Sequence, residues 1–246
     1  MGNLKVVSSL IFAIGCISIG TWGKYEKGIV FKDDFEQGIL ESNKWCITRE
    51  GDFRESIVDV HDVDPTELFD YRLRLKTDTV GTRDDTVKFH GVKSIRKIDF
   101  TKGRRISFDL DWNNQSNGCY LTGAIYLCPT VTNGNPKDEK DWLKFEYVGV
   151  PPGYNARSVI ATKIDGLVRP LDMDGWPENR KGRQISNQRI IIMLDGKGFK
   201  VVENGKEIYN SELHNLRFTA TYLYLQMSSH SNYPAREIYF DNIVVY

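Results

Sequence analysis

The sequence has no excess charge of either sign and few cysteines. Its 246 residues include 33 Lys and Arg against 33 Asp and Glu, which gives a formal net charge of zero. A chain without net charge has no general electrostatic attraction to nucleic acid or to an anionic membrane surface, so neither is expected as a partner. The 4 cysteines include no Cys-x-x-Cys pair, which argues against a structural zinc site.

Sequence signatures of several catalytic classes are also missing. The chain contains no glycine-rich phosphate loop, no nucleophile elbow and no His-Glu-x-x-His string. Cys46, Cys119 and Cys128, the cysteines of the expected mature chain, are an odd number that could form a single disulfide in an oxidising compartment. We interpret them mainly as small buried apolar side chains.

A long apolar run occurs at the N-terminus. VVSSLIFAIGCISIG follows Lys5, and its length suits the core of a signal peptide better than a membrane span. Residues 1–20 are therefore expected to be a signal peptide. A lipoprotein signal ending at Gly15, with lipid on Cys16, is the alternative, and that lipid would be the expected route to a membrane. The protein is expected outside the cell or in the cell envelope, with one domain at 25–246.

The segment from Gln188 to Tyr246 predicts antiparallel strands. Short β-branched and aromatic runs (RIIIMLD, FKVV, KEIY, TATYLYLQM and EIYFDNIVVY) are separated by a glycine-rich turn at 195–198 and by the hairpin dipeptide Asn204-Gly205. Further strands are expected at 71–77, 105–112, 119–128, 142–150 and 158–164. The acid-rich run 59–65 is expected to be a solvated loop, and 165–188 a long loop that carries Trp176.

Alternation along these strands predicts one apolar and one polar face. Side chains two residues apart in a strand point to the same side, so each strand can bury one of its faces. The residues predicted to point inward are Tyr71, Leu73, Leu75, Ile106, Phe108, Leu110, Trp112, Leu223, Leu225 and Met227. This pattern favours an all-β, two-sheet antiparallel sandwich, with a single closed barrel as the alternative.

Four segments together resemble the concanavalin A-like lectin/glucanase superfamily. They are the opening DDFEQG with the later Trp45, the strand ISFDLDW, the hairpin DGKGFKVVENGKEIY and the terminal YFDNIVVY. The resemblance implies a jelly roll with a convex sheet and a concave sheet, the latter usually lined by residues that hold sugars. Members include lectins, LamG-like adhesion modules, glycoside hydrolases and polysaccharide lyases, so the fold does not choose the activity.

Three carboxylates are candidates for catalysis. Asp109 and Asp111 lie two apart on one strand, at about 7 Å, which is the separation of the acid and base in inverting glycosidases. Glu146 could supply a third carboxylate. The Glu-x-Asp-x-x-Glu string of glucanases in the superfamily is absent. Alternatively, the two aspartates form ion pairs across strands with Arg72, Arg74 or Lys76 on a solvated face.

Lyase chemistry is another possibility. Arg72, Arg74 or Lys76 could neutralise a uronate carboxylate, while Tyr224 or His230 moves the C5 proton. Gln226 belongs to the same set of residues. The Arg-x-Glu-x-Arg and Gln-Ile-His strings of alginate lyases with this fold are absent from the chain.

Carbohydrate binding without cleavage is the first-ranked prediction, ahead of glycan cleavage and of a structural or adhesion role. Sugars present apolar faces that stack on aromatic rings and hydroxyls that need polar partners. Alternation places Trp142, Tyr222 and Tyr224 outward, with Tyr154 in a loop. The predicted ligand-binding residues, on the concave sheet, are Arg72, Arg74, Asp109, Asp111, Trp142, Lys144, Glu146, Trp176, Tyr224 and Gln226.

The resemblance also implies a structural calcium ion on the convex side. Asp34, next to Asp33, and Asp241 match the positions of acids that help to hold the ion in several branches of the superfamily. Carboxylate oxygens are suitable Ca²⁺ ligands. Alternatively, Asp241 merely starts the final strand.

Overall fold

The computed structural model describes thirteen parts of the chain. These are residues 28–49, 57–64, 66, 70–77, 87–100, 104–111, 121–132, 134–148, 157–171, 187–194, 198–211, 220–230 and 236–246. The predicted signal peptide and Cys16 lie outside these residues, as do Trp112, Cys119, Tyr154 and Trp176. No helix in the described residues is long and apolar enough to cross a bilayer.

The described chain is made of strands with a single turn of 3-10 helix at Pro136–Asp138. The strands are β1 (Phe31–Asp33), β2 (Trp45–Arg49), β3 (Ile57–Asp62), β4 (Tyr71–Thr77), β5 (Val87–Ser94), β6 (Ile98–Asp99), β7 (Arg104–Asp111), β8 (Thr122–Cys128), β9 (Trp142–Val148), β10 (Arg157–Ile164), β11 (Leu167–Leu171), β12 (Asn187–Leu194), β13 (Phe199–Glu203), β14 (Lys206–Ser211), β15 (Ala220–His230) and β16 (Arg236–Val245).

The strands form two antiparallel sheets of eight. Sheet A has the order β14-β13-β12-β7-β16-β4-β3, with β1 added beside β16. Sheet B has the order β11-β10-β9-β8-β15-β5-β2, with β6 added beside β15. The two sheets pack face to face, which confirms the predicted all-β sandwich and excludes the single closed barrel.

Alternation explains which residues fill the space between the sheets. Most of the predicted inward side chains on β4, β7 and β15 are completely buried: Leu73, Leu75, Ile106, Phe108, Leu110, Leu223, Leu225 and Met227 are each 0% exposed. Tyr71, at the start of β4, is only partly buried. Phe108 from sheet A meets Phe145 from sheet B edge to face, at 6.2 Å between ring centroids. The apolar face of each sheet therefore closes on the other, as the period of two requires.

Two turns show how local sequence sets the hairpins. Asn204 and Gly205 both have positive φ (49° and 80°), the geometry of a tight type I′ hairpin, as the dipeptide predicts. Asp165 and Gly166 repeat it at φ 53° and 81° and join β10 to β11. Strand β11 corrects the prediction of a loop over 165–188 at residues 167–171. It was missed because it is an edge strand, exposed along most of its length, without alternation.

Strand β3 is also a correction. Its acid-rich sequence was interpreted as part of a solvated loop, but residues 57–62 pair with β4 along the edge of sheet A. Asp59 is stable there because Arg74 on β4 donates to both of its carboxylate oxygens, at 2.9 and 2.6 Å. A cross-strand ion pair thus places an acid where hydrophobicity alone would not predict a strand.

The opening acidic pair holds the N-terminal segment to the core. Asp33 is 4% exposed and accepts hydrogen bonds from the Trp45 indole N–H at 2.6 Å and the Phe35 backbone N–H at 3.0 Å. Phe35 and Trp45 are both buried, with ring centroids 6.3 Å apart. Asp33, the first residue of the Asp-Asp-Phe string, therefore has a structural role.

Candidate functional site

The predicted ligand-binding residues lie on two different surfaces. Arg72, Arg74, Asp109 and Asp111 belong to the outer face of sheet A. Trp142, Lys144, Glu146, Tyr224 and Gln226 belong to the outer face of sheet B, and Trp176 lies outside the described residues. Because the whole core separates these faces, the two sets cannot line one groove.

On sheet A, the predicted acids are held in ion pairs. Asp111 accepts from Arg72 at 3.4 Å, while Arg72 also pairs with Asp70 at 2.8 Å. Asp109 accepts from Arg189 at 3.0 Å and from Asn242 Nδ2 at 2.9 Å. The cross-strand interpretation therefore describes Asp111, whereas the partner of Asp109 comes from β12 and not from β4.

Asp241 lies inside β16 and not at its start. It marks an irregularity in the pairing with β7, where the register shifts between Asp241 and Val244 and Asn242 has a positive φ of 52°. Asn242 donates its backbone N–H to the Asp241 carboxylate at 2.6 Å. Burial raises the pKa of Asp241 to about 7, although this hydrogen bond and the nearby Arg72 lower it.

The outer face of sheet B carries a row of matched positions across four central strands. Lys144 on β9 faces Tyr126 on β8, which faces Tyr224 on β15, which faces Lys93 on β5. The next row along contains Glu146, Ala124, Gln226 and Gly91 in the same order. Sheet pairing therefore brings together polar and aromatic side chains that are far apart in sequence.

The aromatic rings of this face are on the predicted side of the sheet, but they are not exposed. Trp142 is 2% exposed, Tyr126 4% and Tyr224 1%. They form a second apolar cluster with Ala124, Cys128 and Ala161, separate from the core between the sheets. Trp142 and Tyr126 meet edge to face at 5.6 Å. The prediction that Trp142 and Tyr224 offer open stacking surfaces is therefore wrong. Alternation shows to which side of a sheet a side chain points, but it does not show whether other residues cover that side.

Tyr222 is the ring of this set that is partly accessible. It packs against the edge of the aromatic cluster. The ammonium groups of Lys93 and Lys97 lie over it, 5.1 and 5.5 Å from the ring centroid. Such cation–π contacts hold both lysines beside the ring.

Lys144 and Glu146 form the charged part of the face. The Lys144 ammonium donates to Glu146 Oε1 in a close ion pair, and these side chains are 16% and 10% exposed. The same ammonium lies 5.6 Å from the Trp142 ring and 5.8 Å from the Tyr126 ring. The pair is thus fixed above the aromatic cluster and retains limited access to solvent.

Two buried polar atoms on this face lack hydrogen-bond partners. The hydroxyl of Tyr224 and the Oε1 atom of Gln226 have none in the part of the chain that the structure describes. Their residues are 1% and 5% exposed. Buried polar groups are normally hydrogen-bonded, so an unsatisfied pair in one region indicates a place for a ligand or ordered water. Both lie on β15, two residues apart and on the same face.

Burial also changes the acidity of the tyrosines. It raises the pKa of Tyr126 well above its usual range, and the nearby Glu146 carboxylate raises it further. Burial likewise raises the pKa of Tyr224. Both hydroxyls therefore keep their protons at neutral pH and are hydrogen-bond donors and not bases. His230 ends β15, and its side chain is outside what the structure describes.

Gly91 is a residue of this region that sequence reasoning missed. A methyl group there would overlap the Leu225 carbonyl oxygen and lie 2.9 Å from the Gln226 Cα. Only glycine lets β5 approach β15 this closely beside Gln226. A glycine inside a strand was the available signal for it.

The loop between β8 and β9 borders the same face. Glu139 is 1% exposed and accepts from the Thr132 backbone N–H at 2.6 Å and from the Thr130 and Thr132 hydroxyls at 3.2 and 3.1 Å. Val131, between the two threonines, packs against the aromatic cluster. A single buried carboxylate thus shapes this edge of the site.

Comparison with known proteins identifies the fold. No protein-family model matches the chain, and no curated protein matches it in sequence. Among solved structures, one reported for endo-acting O-glycanases of the human gut microbiota that initiate mucin breakdown has a TM-score of 0.62 at 17% identity, covering 88% of this chain and 98% of that one. The globular domain of T. cruzi calreticulin has a TM-score of 0.60 at 15% identity, with 89% and 87% covered. The chain has the concanavalin A-like jelly-roll fold.

A third structure with this jelly roll shows how far activity varies within it. It is an immunostimulatory antigen and pseudo β-1,3-glucanase of Mycobacterium tuberculosis, with a TM-score of 0.58 at 14% identity and with 89% of this chain and 98% of that chain covered. At such identities the likeness establishes the fold alone. The jelly-roll fold that the resemblance implied is thereby confirmed, while the site residues depend on the geometry of sheet B.

Proposed function

We propose that the protein is an exported carbohydrate-binding protein that holds a polysaccharide on the outer face of sheet B. The observation that carries the proposal is the buried, unsatisfied pair of polar atoms on Tyr224 and Gln226. A hydroxyl donor and an amide oxygen acceptor side by side match the donor and acceptor character of sugar hydroxyls. Lys144 and Glu146 on β9, two strands away from β15, add a charged donor and acceptor.

Glycan cleavage is the second candidate function. Glu146 is a buried carboxylate on this sheet, and solved structures with the same fold include glycan-cleaving enzymes. Glycosidases normally use two carboxylates on either side of the scissile bond. Among the described strand residues of this face, the acidic ones are Glu146, which is already paired with Lys144, and Asp99, which lies apart from it on β6. Binding therefore ranks ahead of cleavage.

A glycan array combined with two turnover assays distinguishes these functions. We expect retention of at least one polysaccharide, without new reducing ends and without the absorbance near 235 nm that an unsaturated lyase product gives. Product release in either assay would place cleavage first. Failure to retain any glycan would contradict the proposal and favour the adhesion or structural role.

Replacement of Tyr224 by phenylalanine should weaken binding without weakening the fold. The hydroxyl has no hydrogen-bond partner to lose among the described residues, so the free energy of unfolding should change by no more than about 1 kcal/mol. Loss of its hydrogen bond to a sugar should lower the affinity about fivefold, as measured by calorimetric titration.

Tyr209→Phe is the matched control, because Tyr209 lies on β14 of sheet A, stacked 5.0 Å from Phe199. It should bind like the parent protein. Equal affinity of the Tyr224→Phe variant, or a large loss of its stability, would show that the hydroxyl serves the fold and not a ligand.

We also propose that Asp241 helps to hold a structural calcium ion. The described residues contain no group of three or more His, Cys, Asp and Glu side chains arranged around a metal, and Asp34 is paired with Lys32 at 2.9 Å. The side chains of the described residues therefore do not by themselves complete a calcium shell, and other oxygens would have to supply the remainder. Glu36 offers a carboxylate oxygen, Oε2, without a hydrogen-bond partner.

Calcium should accordingly raise the melting temperature relative to a chelator, because an ion that binds only the folded state stabilises it. The rise should be lost in Asp241→Asn and retained in Asp34→Asn. Melting curves that coincide with and without calcium would refute the metal site.

A further inference from the structure

A cavity of about 450 Å³ lies at one end of the sandwich, away from Tyr224 and Gln226. Its basic lining comes from four residues at three places in the chain: Lys44 just before β2, Arg96 and Lys97 in the turn from β5 to β6, and Arg104 at the start of β7. We call these four residues and the space between them the basic cleft. Phe31 and Ile98 supply apolar wall, so the cleft combines cations with a surface that a sugar ring can contact.

The charges of the basic cleft are only partly neutralised. Asp99 is the acidic residue of the lining. Lys44 is paired with Glu41 and lies 3.7 Å from Asp33, and Arg104 donates from Nε to the Asp99 backbone oxygen. These two cations are therefore fixed in place by the fold.

Arg96 and Lys97 differ from them. Both are exposed, and neither has an ion-pair partner in the described part of the chain. In a protein with zero net charge, a local excess of positive charge is a specific feature and not a consequence of overall composition. Guanidinium and ammonium groups that are not neutralised by a carboxylate, above an apolar wall, are suited to an anion that is attached to a larger ligand.

The basic cleft is continuous with the outer face of sheet B. Lys97 lines the cleft and also lies over the Tyr222 ring, with Lys93 on the same ring. Tyr222 in turn packs against the aromatic cluster that contains Tyr224. A polysaccharide chain on the outer face of sheet B would therefore contact the Tyr222 ring, with its two lysines, and then reach the basic cleft.

We propose that the basic cleft binds the anionic group of an acidic glycan, a sulfate ester or a sugar carboxylate, and that the glycan runs from the outer face of sheet B past Tyr222 into the cleft. This inference rests on the proposed function and narrows its ligand to acidic polysaccharides. The volume of the cleft is that of a pocket for one small ligand, so one charged sugar unit is the expected occupant.

The test compares three polysaccharide probes by calorimetric titration at two salt concentrations: a sulfated glycan, the same glycan after desulfation, and a uronate polymer. The variant is Arg96→Gln with Lys97→Gln, whose side chains are exposed, so the fold should be preserved. We expect its affinity for the acidic probe that the parent protein binds to fall about tenfold or more, with a weaker dependence on salt. Its affinity for the desulfated glycan should be unchanged.

The matched control is Lys140→Gln with Lys200→Gln, which removes the same charge from surface ion pairs with Asp165 and Glu207 elsewhere on the chain. It should bind acidic probes like the parent protein. Equal binding of acidic glycan by the Arg96/Lys97 variant, or preference of the parent for the desulfated form, overturns the inference while leaving glycan binding itself intact. Absence of binding to all three probes by the parent would contradict this inference, whereas the proposed function fails only if the glycan array also retains nothing. The sulfated and uronate probes tell the two anionic groups apart.

Discussion

Replacement of Gly91 by alanine is expected to destabilise the protein more than any other single methyl addition considered. The new methyl group would overlap the Leu225 carbonyl oxygen and lie 3.0 Å from the Leu225 carbonyl carbon. Both atoms belong to the backbone of β15, so no side chain can move aside and the strands must separate. We expect the free energy of unfolding in urea to fall by about 3 kcal/mol, a large share of the roughly 5–15 kcal/mol typical of a domain.

Gly134 provides the control for this substitution. A methyl group there would lie 3.7 Å from its nearest neighbour, the Arg49 carbonyl oxygen, which is an ordinary contact. Gly134→Ala should therefore leave the unfolding midpoint nearly unchanged. A Gly91→Ala protein as stable as Gly134→Ala would mean that β5 and β15 are not as close as described. Glycan affinity should also fall in Gly91→Ala, because the strand displacement moves Gln226.

Acid should destabilise the protein through His90. This side chain is 0% exposed on the inner side of β5, and burial lowers its pKa to about 3, with Arg49 lowering it further. The unfolded chain takes up a proton near the ordinary value of 6.5, whereas the folded protein does not do so until about pH 3. The contribution of His90 to the free energy of unfolding is therefore fully present above pH 6.5. It is lost at about 1.4 kcal/mol per pH unit as the pH falls from there toward 3.

The measurement is the free energy of unfolding as a function of pH for the parent protein and for His90→Gln. The variant should be less stable at neutral pH but should show a shallower decline in acid. His61→Gln is the control, because the His61 ring lies on the outer face of sheet A against Tyr239, with centroids 6.5 Å apart. Parallel pH curves for the parent and His90→Gln would show that His90 does not carry the acid sensitivity.

Most of the fold could be predicted because alternation within a strand and turn dipeptides depend only on residues close together in sequence. The alternation around Phe108 and Leu225 assigns inner and outer sides within one strand, and Asn204-Gly205 needs no tertiary contact to form its turn. Strands β3 and β11 were missed for the opposite reason. One is stabilised by the ion pair of Asp59 with a neighbouring strand, and the other is an exposed edge.

The candidate site was only partly predictable. Lys144, Glu146, Tyr224 and Gln226 were named from the sequence and do share one face. The sequence could not show that Asp109 belongs to the other sheet, because assignment to a sheet depends on pairing between strands far apart in the chain. Alternation also does not show that the outer face of a sheet is buried. The basic cleft was missed altogether, since its residues come from turns and strand ends that have no shared pattern.

Chemical-shift mapping of the isotope-labelled protein, during titration with the retained polysaccharide, shows directly whether the ligand binds the outer face of sheet B. The two outer faces are separated by the core, so the ligand must perturb one set of signals or the other. We expect the largest shifts at the Gln226 side-chain amide and at the Tyr224 and Lys144 backbone amides. Shifts centred instead on Arg72, Arg74 and Asp109 would place the ligand on sheet A and contradict the proposed binding face on sheet B.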